Sequence, residues 1–379
     1  MPNLGRFLAF SVIGSVALMP LLALPAMIGV LVDNAGMTDS AAGWSASIHF
    51  LAAALIGIAL SLRIHHVSLR TIARIALVVA VAADIGSAMT DGSSDTFLVA
   101  RVVAGLGLGC AYVTSVAAFA RFDNYERGYG LFVTLQFAIS GLSLYAIPVF
   151  ADDIGATGLF VLFAMGDAIA LLLTHYLPSE KASSKDTSSS TSELKILLSG
   201  AALFAIVGFI LFEAANNAQF TYIERFGVAL SASDEQIGIS LMIASLLGIP
   251  GAFAIVLIGR RFGTLAPLMV GVGIATLGLT ILYNAHSYTA YFVGGCFMGF
   301  SWAFSLPFIQ TLLASIDRNG SAISAGSSLS SLGTALGPAL AATVVANGGY
   351  RHVFILAMAL FAVTVIAFVL SHRNRDHAV

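Results

Sequence analysis

An acid, two amides and an aromatic ring share one stripe within a long apolar stretch: Glu213, Asn216, Asn217 and Phe220. Spacings of three, four and seven residues put all four on one face of an α-helix. A carboxyl group beside amides that bond either protonation state suits a proton carrier or a hydrogen-bonding site for a small molecule. The alternative is a polar cluster that grips a neighbouring helix. A second set of residues is charged. Arg101, Asp84 and Asp167 fall inside apolar runs and Asp33 at the end of one, where an ionised side chain costs about 2.5–3.5 kcal/mol on insertion scales. Arg101 cannot shed its proton, so it must find a carboxylate, carbonyls or water. Residues 84 and 101 are equidistant from the turn at 91–95, which places both at one depth, about 8–9 Å from the turn at 1.5 Å rise per residue. Asp84 and Asp33 compete for Arg101. The pair is either remade as the protein changes state or is a fixed packing element. Asp167 reads equally as a working acid or as a protonated group bonded to a nearby carbonyl, and His49 as a proton carrier or a packing group.

These residues must be positioned by membrane-spanning helices. Only 9% of the chain is charged, 58% is hydrophobic, and mean hydropathy is +0.95. Apolar stretches lie near 8–32, 41–62, 72–90, 96–119, 128–150, 157–177, 196–219, 236–258, 265–285, 288–313, 321–345 and 352–371. A hydrocarbon core of roughly 30 Å takes about 20 helical residues, so the chain reads as twelve spans. Continuous apolar runs, rather than short alternating ones, exclude a barrel. The run beginning at Leu8 is longer than a secretory core segment, so it is read as a retained first span that Pro20 and Pro25 kink. Cys110 and Cys296 fall in spans and are expected to be free thiols.

Basic residues give the orientation. With a cytoplasmic N-terminus, all but three of the 17 Lys and Arg residues lie on the cytoplasmic side. Arg225 and Arg351 are expected outside, and Arg101 within the membrane. Both termini are then cytoplasmic, in a cell inner or plasma membrane. The Ser-rich stretch 178–194 is a cytoplasmic linker between six-span halves at 1–177 and 195–379. A shift of 195 residues lays Asp39, Gly43 and Ser45 onto Asp234, Gly238 and Ser240, a parallel repeat of the kind used for alternating access.

Three local patterns carry a family resemblance. The fourth span reads Arg101-Val-Val-Ala-Gly105-Leu-Gly107-Leu-Gly109, the eleventh Leu332-Gly333-Thr334-Ala335-Leu336-Gly337-Pro338, and the loop after the eighth Arg260-Arg261-Phe262-Gly263. With these the chain resembles the major facilitator superfamily of secondary transporters along essentially its whole length. The resemblance implies an all-α membrane protein of twelve transmembrane helices, in two six-helix halves related by pseudo-symmetry. It implies that spans one, four and seven line a central cavity, which favours Asp33 for Arg101 and makes Glu213, Asn216 and Asn217 the substrate or proton site. Spans three and six are peripheral in that architecture. Departures are visible too. The first-half loop around Arg63 lacks the family's Asp and Gly, Arg260 stands where the second-half Asp belongs, and the fifth span lacks the Gly-Pro of drug/proton antiporters.

Aromatic and small residues add shape. Trp302 and Ser305 share a face of the tenth span and, with Tyr112 on the fourth, are read as cavity lining or as core packing. Gln136, Ser140 and Ser143 form a polar face on the fifth. The Ser and Gly stripes of the eleventh, ending in Gly333, Gly337 and Pro338, suit close helix approach at an interface that slides between the halves.

Other function classes lack their chemistry. No Gly-x-x-x-x-Gly-Lys-Ser/Thr, His-Glu-x-x-His or Gly-x-Ser-x-Gly run occurs, and no Cys/His cluster has metal spacing. A net charge of −2 suggests no nucleic-acid partner. The expectation is a monomeric secondary transporter of a small organic solute coupled to protons, with no cofactor and no metal. The alternatives are a drug or amphiphile efflux antiporter and, further off, an intramembrane enzyme or a transport-inactive receptor. One acid with paired amides and aromatics suits an amphiphilic or weakly cationic solute.

Overall fold

The computed structural model describes residues 4–92, 94–121, 125–180, 197–259, 261–316 and 320–376. Among them every regular element is helical, and eleven helices are long and apolar enough to cross a membrane. The remaining pass is the first, which is broken into α1 (Leu4–Ala17), α2 (Met19–Leu22) and α3 (Leu24–Asp33). Proline explains both breaks: Pro20 and Pro25 occupy the first turns of α2 and α3, where a missing N–H is tolerated. The break at Ala23 removes the intrahelical donor to the Leu22 carbonyl, and the Ser140 hydroxyl of the fifth span donates to it instead at 2.9 Å.

The first unit, Met1–Asp186, continues with α4 (Asp39–Ser61), α5 (Leu69–Ala88), α6 (Asp95–Phe119), α7 (Tyr125–Val149) and α8 (Ala151–Leu173). Thr38, Ser68 and Ser94 cap α4, α5 and α6, each accepting a bond from the backbone N–H three residues on. Gly155, at φ 57°, interrupts α8 near its start, a backbone angle that a side chain disfavours. At the other end, Arg70 Nε donates to the Leu177 carbonyl, Arg74 Nε to the Thr174 hydroxyl, and an Arg121 guanidinium nitrogen to the Glu180 carbonyl. These three arginines of the basic-rich side thereby fasten the end of the sixth span.

The second unit, Thr187–Val379, holds α9 (Gly200–Ala229), α10 (Asp234–Leu246), α11 (Gly248–Ile258), α12 (Leu265–Tyr283), α13 (Tyr288–Ala314), α14 (Ser321–Gly348) and α15 (Tyr350–Asp376). Helices α10 and α11 are one span bent at Leu247. Ser233 and Gln236 close a capping box at its start.

Packing repeats between the units. In the first, span four packs on spans two and three, span three on span six, and span one on four, five and six; the second shows the same pairings six spans later. That recurrence is the structural form of the weak sequence repeat. Side chains such as Ile75, Val78, Leu142, Leu172, Val256 and Ile366 stay exposed on these helices, as an apolar solvent requires. Helix α9 differs, being buried almost continuously from Phe212 to Gly227. The linker expected at 178–194 falls mostly outside the described residues.

Candidate functional site

Helix α9 extends ten residues beyond the expected end of the seventh span, so Glu213 lies at its middle. The Glu213 side chain is 7% exposed. Its neighbours are neutral: Trp302 of α13 donates its indole N–H to Oε1 at 3.4 Å, and Asn217 donates Nδ2 to Oε2 at 3.3 Å. Both distances exceed the usual range, so the carboxyl group is held loosely. Asn217 Nδ2 is better bonded to the Glu213 carbonyl at 2.9 Å, and Asn216 Nδ2 to the Phe212 carbonyl at 2.8 Å. Those local bonds aim the amides along the helix and leave Asn216 Oδ1 buried without a protein donor. Gln219 Oε1 is in the same condition. The sequence reading passed over Gln219, although it stands three residues after Asn216 and continues the amide series.

The backbone of α9 is reached by α14. A Cβ on Gly333 would lie 2.2 Å from the Ile210 carbonyl oxygen and 2.9 Å from the Glu213 Cβ; one on Gly337 would lie 2.7 Å from the Ala214 oxygen and 2.8 Å from the Asn217 Cβ. Glycine spacing on α14 therefore matches the acid and amide spacing on α9, and Pro338 is buried next to Gly337. These glycines pack within the second unit, against the helix that carries the site.

The second cluster lies in the first unit. Arg101 of α6 pairs with Asp84 of α5 and also donates to Ser87 Oγ, Nε at 2.9 Å and Nη2 at 2.6 Å. Its guanidinium stands 4.4 Å from the Phe160 ring centroid and 5.8 Å from that of Phe97, within cation–π range. Asp167 of α8 brings its carboxyl group within hydrogen-bonding reach of Asp84. His49 Nδ1 meets the Arg101 carbonyl at 3.0 Å. Signature glycines create this closeness: a Cβ on Gly105 would sit 2.2 Å from the His49 oxygen, and one on Gly107 2.6 Å from the Ala76 oxygen. Helix α6 is thus gripped between α4 and α5.

Several residues fall elsewhere. Asp33 is exposed at the end of α3, so the partner of Arg101 is Asp84, the residue at equal depth in the hairpin. Tyr112 packs in an aromatic cluster of the first unit, 6.3 Å from the Phe132 ring, and Gln136 is half-buried on α7. Ser305 does not share the surroundings of Trp302: it is fully buried facing Gly271 of α12, where a Cβ would come within 2.1 Å of its hydroxyl. Arg63 and Arg261 are exposed in their loops, and Gly263 adopts φ 67°. Arg260 lies outside the described residues. Arg225, expected in an outer loop, is instead buried in the last turns of α9 and paired with Glu224 at 2.9 Å. The apolar count ended the span too early because this pair interrupts the hydropathy without interrupting the helix.

Comparisons with known proteins follow this geometry. Residues 7–327 match the profile of the Major Facilitator Superfamily. No curated protein sequence matches significantly. Among solved structures, a variant of the nucleoside transporter NupG is similar with a TM-score of 0.79 at 12% identity, covering 97% of this chain and 99% of that one. The D-xylose-proton symporter is similar with a TM-score of 0.74 at 15% identity, covering 97% and 96%. At such identities the likeness is one of fold.

Proposed function

The chain belongs to the Major Facilitator Superfamily and is a multi-pass secondary transporter, and on that premise we propose that it carries a small, polar organic solute in a proton-coupled cycle in which Glu213 is the proton or substrate group. One observation carries this reading: Glu213 is buried at mid-span among neutral donors only. An acid placed there without a cation costs several kcal/mol unless it is protonated or a ligand supplies a donor. Alternation between those two conditions is what coupling requires. The unpartnered oxygens of Asn216 and Gln219 add acceptors, so the solute brings hydroxyl, amino or imino donors, and the Trp302 indole offers it an aromatic edge. Solved structures of similar fold include a nucleoside transporter and a D-xylose-proton symporter, whose solutes carry donors of that kind.

Glu213→Gln mimics the protonated form. In vesicles, a solute coupled to one proton accumulates up to about tenfold per unit of pH gradient, from 1.4 kcal/mol per tenfold. The variant is expected to lose that accumulation while exchanging labelled for unlabelled solute. Gradient-driven accumulation at the unsubstituted level refutes the proton role. Loss of exchange in folded protein assigns Glu213 to the solute instead.

A further inference from the structure

Asp84, Asp167 and Arg101 come from three helices and are 0%, 1% and 2% exposed. With both acids ionised, this enclosed group would carry a net negative charge. Asp84 Oδ1 is taken by Arg101. What remains is unusual: Asp84 Oδ2, Asp167 Oδ2 and Arg101 Nη1 are all buried without a protein hydrogen-bond partner, although the two carboxyl groups face each other at hydrogen-bonding range. Two carboxylates cannot bond, because neither has a donor, and like charges at this distance repel in a medium that screens little. A single proton removes both difficulties. It supplies the donor for an O–H···O bond and brings the group to neutrality.

We propose that Asp84 and Asp167 form a proton-binding site in the first unit, one proton being shared between their carboxyl groups beside Arg101. The site is separate from Glu213 and does not depend on the reading given above for that residue. Binding is a plain association: one proton joins two carboxylates, no bond between heavy atoms changes, and the product is an acid bonded to a carboxylate. A monovalent metal ion would neutralise the group as well, but the direct approach of the carboxyl groups leaves the hydrogen-bonded form favoured.

Groups facing the pair are few. Arg101 donates to Asp84 and to Ser87, whose hydroxyl donates in turn to the Ala83 carbonyl, Phe160 covers the guanidinium, and His49 of α4 turns its Nδ1 to the Arg101 carbonyl. Other charges on the packed helices stand at their ends: Arg70 and Arg74 on α5, Asp95 on α6, Asp39 on α4, Asp152 and Asp153 on α8, Arg6 on α1 and Asp33 on α3. The first two are bonded to the end of the sixth span.

The test is infrared spectroscopy of the full chain in lipid, in a Glu213→Gln background so that Glu213 contributes nothing. At neutral pH a protonated-carboxyl C=O stretch is expected, shifted in heavy water, and it should vanish when Asp167→Asn is added. Asp167→Asn keeps a donor toward Asp84, so it retains the fold even if Asp84→Asn, which strips Arg101 of its carboxylate, does not. The proposal is overturned if no such band exists at neutral pH in sodium-free buffer, or if the band survives Asp167→Asn in folded protein.

Discussion

Arg101→Ala is the most informative single substitution in the first unit. It removes the cation from two acids that are 0% and 1% exposed and opens a space bounded by Phe97 and Phe160. Breaking a buried ion pair by deleting one partner costs about 3–5 kcal/mol, because the survivor is left charged and desolvated. Loss of the guanidinium from the Phe160 face, at 4.4 Å, adds up to about 2 kcal/mol for a desolvated contact. Arg101→Ala should therefore lose about 3–7 kcal/mol against unfolding in mixed detergent. Most of the electrostatic part should return in Arg101→Ala/Asp84→Asn, which leaves one acid with an amide beside it. A double-mutant cycle on Arg101 and Asp84 gives the coupling directly, and a value of about 2 kcal/mol or more is expected. Coupling within about 0.5 kcal/mol of zero, with Arg101→Ala as stable as the parent, would refute the argument that burial makes this pair mutually dependent.

Three further outcomes are expected. Gly333→Val places a branched side chain where a Cβ already falls 2.2 Å from the Ile210 oxygen, so α14 must shift from α9; overpacking of this kind costs about 1–3 kcal/mol, and solute binding should fall with it in a thermal-shift assay. Ser140→Ala leaves the Leu22 carbonyl without its donor at the break between α2 and α3, a loss of about 1–3 kcal/mol that Ser140→Thr should largely restore in the same unfolding assay. The basic asymmetry predicts that both termini and the Ser-rich linker are cytoplasmic, so in a chain lacking Cys110 and Cys296 a thiol at position 189 should react with an impermeant reagent from the inside and one at 234 from the outside; the opposite pattern overturns the orientation.

Much of this architecture is local information and was legible along the chain. Hydropathy counts residues against bilayer thickness, so the spans were found without any contact being known, and Pro20 and Pro25 fixed where the first one breaks because proline acts on its own turn. The stripe of Glu213, Asn216 and Asn217 follows from the helical period alone. Equal depth of Asp84 and Arg101 was also readable, since a hairpin ties depth to distance from its turn. Choosing Asp84 over Asp33 was not, because both are acids within reach of a helix whose neighbours the sequence does not state. Asp167 shows the limit most clearly: nothing in its own segment points to Asp84, and only the packing of α8 on α5 brings the two acids together. Glycine stripes likewise declared a close approach but not the partner, and Ser305 shared a face with Trp302 on paper while burying itself against Gly271. Periodicity sets the direction of a side chain within its own helix; which neighbour stands in that direction depends on how the other helices of the unit pack, a property of the assembled bundle rather than of any one segment.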